Sequence, residues 1–147
     1  MTESEDVRKR DAETIAQFRA NHGKVGGELA GIPLLLLHTV GRSTGTPQVH
    51  PLSYLPRHGS YVVFASKGGG DDVPSWYHDL MARREARIEV GDEVVSVSAR
   101  ELEGQEKEDS YAEQARLFPV FNDYQRATTR DIPVIALTPI SEQRSTP

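Results

Sequence analysis

Apolar and polar positions divide the chain into short segments. Leu34–Thr39 and Tyr61–Ala65 are continuous apolar runs, and Gln48–Leu55 between them alternates. Runs of this length bounded by turn residues predict three consecutive antiparallel strands. Ala86–Arg100 alternates around Gly91-Asp92 and predicts a hairpin. Ile132–Pro139 predicts a last buried strand. Helical spacing recurs in three places. Asp11–Asn21 has Ile15 and Phe18 on one face and Gly23 as a stop. Ser75–Arg84 has an apolar side of Trp76, Leu80 and Met81. Glu106–Thr128 is helical by composition, and Pro119 divides it. About six strands in short succession, with helices between, predict a mainly β, α+β fold: an antiparallel barrel with flanking helices.

Composition narrows the chemistry. A length of 147 residues suits one domain. Residues 11–140 are expected to form it, after a charged flexible lead-in at 1–10 and before a tail at 141–147. The chain has no cysteine, which excludes disulfides, thiolate catalysis and zinc–thiolate sites. Its five histidines lack metal-binding spacing, so no metal is expected. A net charge of −5 argues against nucleic acid as a partner. No apolar run approaches the ~20 residues of a membrane span. The expectation is a cytoplasmic protein, with peripheral membrane contact left open.

Two connections carry candidate chemistry. Gly41-Arg42-Ser43-Thr44-Gly45-Thr46-Pro47 offers a guanidinium, three hydroxyls and two glycines. Ser66-Lys67-Gly68-Gly69-Gly70 offers an ammonium, a hydroxyl and unshielded amides. Both suit phosphate or carboxylate. Trp76, the one tryptophan, reads first as a core anchor. His38 and His50 sit in apolar strands, as core histidines would. Phe118, Phe121 and Tyr124 share a helical face, which fits packing and a ligand pocket alike. No Ser-His-Asp set or Walker loop is present. From residues alone, the reading is a small anion-binding β-barrel domain.

The order of the motifs is more specific. Phe18-Arg19-Ala20-Asn21-His22-Gly23-Lys24-Val25-Gly26-Gly27 comes first, then Gly31-Ile32-Pro33-Leu34-Leu35-Leu36-Leu37 and the Gly41–Pro47 turn. Pro51-Leu52-Ser53-Tyr54-Leu55, Ala65-Ser66-Lys67-Gly68-Gly69 and Pro74-Ser75-Trp76-Tyr77-His78-Asp79-Leu80 follow. Tyr124-Gln125-Arg126 and Arg130-Asp131-Ile132-Pro133-Val134 close the series. Over roughly residues 15–139 the chain resembles the deazaflavin-dependent nitroreductase and quinone reductase family of actinobacteria, whose members use coenzyme F420.

The resemblance implies a split β-barrel of the flavin-reductase, FMN-binding type. It implies hydride transfer from F420H2 to a small electrophile, an enone, quinone or nitro compound, with FMN a weaker alternative cofactor. By position, Arg42, Thr44 and Lys67 meet the phosphate and tail. Pro51, Ala65, Ser66 and the amides of Gly68 and Gly69 line the ring system, and Trp76 closes the pocket. Ser43, Gln48 and His50 complete the cofactor-binding set. Ser66 and Tyr124 are the catalytic hydroxyls, and Trp76, Phe118, Phe121 and Tyr124 form the substrate pocket. Ser43 and Gln48 stand where the family usually has cations. Phe118 and Phe121 stand where one branch has tyrosines, which favours enones and quinones over bulky nitro compounds. The same barrel holding F420, another flavin or an apolar ligand without turnover is the alternative reading. The resemblance leaves the oligomeric state open.

Overall fold

The computed structural model describes residues 3–26, 31–65, 74–127 and 132–140. β1 (Leu34–Val40) and β2 (Pro47–Ser53) form the first hairpin, with Leu37 opposite His50. β3 (Leu55–Arg57) pairs with β4 (Ser60–Phe64). β5 (Glu85–Val90) and β6 (Glu93–Glu101) form the hairpin expected around Gly91-Asp92. β7 (Val134–Pro139) lies between β6 and β4. Among the described residues the result is one antiparallel sheet of seven strands, in the order β2-β1-β5-β6-β7-β4-β3.

This corrects two expectations. The segment Gln48–Leu55, expected as one strand, breaks at Tyr54 between β2 and β3. The third apolar run, β4, pairs with β7 and with β3, not with β1 or β2.

The break at Tyr54 shapes the sheet. Ser53 ends one edge strand, and Leu55 begins the strand at the opposite edge. Consecutive Cα atoms are about 3.8 Å apart, so the two edges must come together and the sheet must curl. Tyr54 marks the seam. Its backbone N–H donates to the Pro33 carbonyl at 3.2 Å, and its ring meets Tyr61 of β4 edge to face, 5.3 Å between centroids. The curled sheet with flanking helices is a split barrel, the mainly β fold expected.

Four helices are described: α1 (Glu3–Ala20), α2 (Ser75–Arg83), α3 (Gly104–Leu117) and α4 (Val120–Ala127). α1 begins inside the segment expected to be a flexible lead-in, at Glu3 rather than Asp11. Glu, Lys and Arg are strong helix formers, and they carry the helix upstream. Pro119 separates α3 from α4, as its lost N–H requires.

β1 explains why its apolar run is continuous rather than alternating. Leu35 and Leu37 join Val63, Ile88, Ile135 and Leu137 in one core cluster. Leu34 and Leu36 point the other way, under Phe18 of α1. A strand buried on both faces has no polar positions to give up. Each such side chain, fully buried, stabilises by about 1.5–3 kcal/mol. A third cluster, with Val62, Phe64, Val134 and Ala136 on the sheet, packs on Ala115 of α3 and Phe121 of α4.

At the end of α1, Gly23 adopts φ +91 and lies against Gly91, where a Cβ would stand 2.7 Å from the Gly91 Cα. Arg19 clamps the same helix to β5, its Nε and Nη2 donating to the two carboxylate oxygens of Glu89 at 3.1 and 2.6 Å. Among the described residues no helix is long and apolar enough to cross a membrane.

Candidate functional site

Strand direction decides which connections meet. Antiparallel pairing runs from β1 through β5, β6 and β7 to β4, and alternates at each step. The C-terminal ends of β1 and β4 therefore leave the barrel at the same end. The Gly41–Pro47 turn follows β1 there, and Ala65 follows β4. α2 packs across this end, with Trp76 and Leu80 in the core cluster that holds Ala65 and Leu37.

The turn is internally braced. The Gly41 N–H donates to the Thr46 carbonyl at 2.9 Å, and the Gly45 N–H to the Gly41 carbonyl at 2.8 Å. Thr44 Oγ1 accepts from the Thr46 N–H at 3.2 Å. Gly45 has φ +72, a conformation that only glycine adopts without strain. Arg42, Ser43 and Thr44 are exposed at its tip.

The turn is also tied to α2. The Arg42 backbone N–H and its Nη1–H both donate to Asp79 Oδ1, each at 3.1 Å. The Asp79 side chain is 6% exposed and that of Arg42 50%. A buried carboxylate thus holds a half-exposed cation. A guanidinium carries five N–H donors, so one contact from Nη1 leaves it able to take up an anion as well. In the sequence Asp79 is one residue of the Pro74–Leu80 motif, with no role of its own. Its signal was position: it falls between Trp76 and Leu80 on the buried side of α2, where an acid needs a partner.

His50 lies nearby in β2, hydrogen-bonded through Nε2 to Thr39 Oγ1 at 3.1 Å. Burial pushes its pKa below the ordinary value, against the opposing pull of the Asp79 carboxylate. Burial thus favours its neutral form. Gln48 is exposed opposite Thr39, and Pro51 is half-buried opposite Leu36. Ala65 is fully buried, its N–H donating to the Pro133 carbonyl at 2.9 Å. Beside Trp76, Tyr77 donates its phenol proton to Glu101, and burial followed by this bond pushes its pKa up to about 12.

Ser66, Lys67, Gly68 and Gly69 lie outside the described residues. Tyr124 is on α4. Phe118 and Phe121 pack in the α3–α4 cluster rather than with Trp76. The Phe121 ring stands 5.5 Å from Phe64 and 6.0 Å from Tyr111, edge to face. Tyr111 Oη donates to the Phe121 carbonyl at 2.7 Å. The structure thus gathers Arg42, Ser43, Thr44, Ala65 and Trp76 at one barrel end, and gives Phe118 and Phe121 different neighbours.

A cavity of about 610 Å³ opens between this end of the sheet and α2. Thr39, Val40 and Pro47 line it from the first hairpin, Asp79 and Arg83 from α2, and Ala86 from β5. Asp79 is common to the cavity and to the Arg42 pair.

The chain is similar to known proteins over most of its length. Residues 10–139 match the family described as F420H(2)-dependent quinone reductase. An F420H(2)-dependent quinone reductase of Mycobacterium tuberculosis is 35% identical over 132 residues, covering 84% of this chain and 85% of the relative. The solved structure of an F420-H2 dependent reductase, FDR-A, superposes with TM-score 0.65 at 36% identity, covering 71% of this chain and 93% of that one. The Vibrio cholerae heme storage protein HutZ superposes with TM-score 0.59 at 16% identity, over 86% of this chain and 88% of that one, a likeness of fold alone.

Proposed function

The chain belongs to the F420H(2)-dependent quinone reductase family, and from that premise we propose that it reduces a small quinone or enone, in preference to a bulky nitro compound. It is an F420H2-dependent reductase, and its cofactor is F420. Bound F420H2 supplies a hydride, and the reduced acceptor takes its proton from solvent.

The observation that carries the site assignment is the Arg42–Asp79 pair. It fixes a cation and a braced turn at the barrel end from which β4 also leaves. Arg42 and Thr44 then meet the coenzyme phosphodiester, with Lys67 beyond the end of β4 as the second cation. Charge-assisted bonds of this kind are the strong ones in an otherwise acidic protein. Pro51, Ala65 and the amides of Gly68 and Gly69 line the ring system, with Ser43, Gln48 and His50 at its margins. Trp76, inserted at this end of the core, closes the site and excludes water from it. Ser66 and Tyr124 donate hydrogen bonds to the acceptor oxygen as negative charge builds there. Phe118, at the end of α3, and Phe121, in α4, back the substrate side and present no hydroxyl, which is why a quinone or enone is preferred.

Titration with F420 and with FMN, followed by absorbance and fluorescence, tests the cofactor site. Tight binding of F420 and weak binding of FMN are expected. Steady-state oxidation of F420H2 with a quinone, an enone and a nitroaromatic acceptor then ranks the substrates. Fastest turnover with the nitroaromatic compound would overturn the preference.

A further inference from the structure

We propose that the seam between α3 and the edge strand β3 is a closed binding site for a small neutral hydrogen-bonding ligand, a water molecule, held by Ser110, Gln114 and Arg57. The inference does not depend on the cofactor assignment.

α3 is rich in charge, yet one side of it is buried. Tyr111, Ala115 and Phe118 recur at helical spacing and pack with Leu55, Val62 and Val134 of the sheet. Ser110 and Gln114, four residues apart, lie in a row beside that apolar stripe. Both are 0% exposed. Among the described residues, Ser110 Oγ and both amide atoms of Gln114, Oε1 and Nε2, have no hydrogen-bond partner. The buried Nε of Arg57 has none either. Buried polar atoms in folded proteins are nearly always paired, with the protein or with ordered water.

β3 brings Arg57 to the same seam. Leu55 and Arg57 are two residues apart in one strand and share a face. Leu55 packs in the cluster that contains Ala115 of α3. Hydrogen bonds from Arg100 and Arg116 hold the carboxyls of Glu106 and Glu113 below their ordinary values, and the charge of Arg57 adds to both. These two acids are about 10 Å apart along the helix, with Ser110 between them. Arg57 therefore stands opposite the stretch of α3 that Ser110 centres.

The donor set selects the ligand. Arg57 Nε and Gln114 Nε2 need an acceptor, Gln114 Oε1 needs a donor, and Ser110 takes either role. Exchanging the two amide atoms of Gln114 changes nothing, since neither is paired. An anion offers nothing to Oε1 and is opposed by Glu106 and Glu113 on the flank. A cation is opposed by Arg57. A neutral molecule that both donates and accepts fits, and full burial of Ser110 and Gln114 restricts it to the size of water. Buried waters typically make about three hydrogen bonds to groups of this kind.

The site has a mechanical consequence. β3 has three residues and, among the described residues, pairs with β4 alone. A water bonded to both elements ties this edge strand to α3. The Gln114 carbonyl also accepts the Phe118 N–H at 2.8 Å, where α3 ends before α4. The bound water thus braces the joint from which α4 departs.

A high-resolution crystal structure of the wild-type protein and a double-mutant cycle test the site together. The structure is expected to show a water within about 3.2 Å of the Gln114 amide and of Ser110 Oγ or Arg57 Nε. Ser110→Ala and Gln114→Met, which keep side-chain volume close to the original, are expected to lower the folding equilibrium constant by about two- to tenfold each in chemical denaturation. The double variant should lose less than the product of the two, because both groups share one ligand. Density for an ion, or direct pairing of Gln114 with Ser110 or Arg57 and no water, overturns the proposal. A Gln114→Met protein more stable than wild type overturns it too, because the amide is then bare. Losses that multiply independently show that the two residues share no ligand and overturn it as well.

Discussion

Asp79 and Arg42 meet at a single oxygen. The backbone N–H and the guanidinium of Arg42 both donate to Asp79 Oδ1, so one buried carboxylate sets the path of the turn and the aim of its cation. The two functions are separable. Asp79→Asn keeps an oxygen to accept the backbone N–H but removes the charge. Asp79→Ala removes both. The alanine variant is expected to lose about 1–2 kcal/mol of stability, discounted because Arg42 is half-exposed. It should also bind F420 at least about tenfold more weakly. The asparagine variant should keep the stability and weaken binding less. Thermal unfolding and coenzyme titration read the two effects independently, and equal behaviour of both variants counts against a positioning role.

Lys67 is the second proposed cation. Lys67→Ala is expected to weaken F420 binding by about 1.5–3 kcal/mol, the usual worth of a hydrogen bond to a charged group. The difference from wild type should narrow as salt is added. Affinity that is unchanged at low salt removes Lys67 from the site.

Ser66 and Tyr124 are proposed to act on developing charge rather than on the bound cofactor. Ser66→Ala and Tyr124→Phe should therefore leave F420 affinity nearly intact and lower kcat for quinone reduction. Each loss reaches up to ~10²-fold, less where water has access. Wild-type rates in both variants would show these hydroxyls to be structural.

Phe121 has a packing role whatever its relation to substrate. Phe121→Ala opens a cavity between Phe64 and Tyr111 and is expected to cost about 3–5 kcal/mol. Chemical denaturation measures it. A cost below about 1 kcal/mol would show that α4 is not anchored through this ring.

The Arg19–Glu89 clamp makes the docking of α1 pH-dependent. The hydrogen bond from Arg19 comes first among the causes that hold the Glu89 carboxyl below its ordinary value of 4.5, with His38 adding to it. A depressed carboxyl contributes stability that is present above its unfolded pKa and is lost as pH falls through the lower folded value. The protection of α1 amides, exchange measured relative to the intrinsic rate at each pH, should therefore hold at neutral pH and fall below the ordinary carboxylate range. Glu89→Gln should remove that acid-dependent step, and an identical pH profile in the variant would locate it elsewhere.

The local elements and the family are legible in the order of the residues. Apolar runs, alternation and the Gly91-Asp92 turn placed the strands, and Pro119 placed the break between α3 and α4, because these signals depend on neighbours a few residues away. Ordered motifs from Phe18 to Val134 carried the family for the same reason. Which elements touch was decided in three dimensions. The alternating segment read as one strand, yet Tyr54 divides it between the two edges of the sheet, since closing the curl requires a strand at each edge. The Arg42 turn and the end of β4 came together through the parity of five antiparallel strands, not through adjacency. Asp79 acquired its role only when α2 folded over the barrel end, because a carboxylate's partner depends on which cation packing brings to it. Phe121 shared a helical face with Tyr124 in the sequence, and packing chose Phe64 and Tyr111 as its neighbours. Periodicity records which side of a helix is buried, and only the assembled fold records against what.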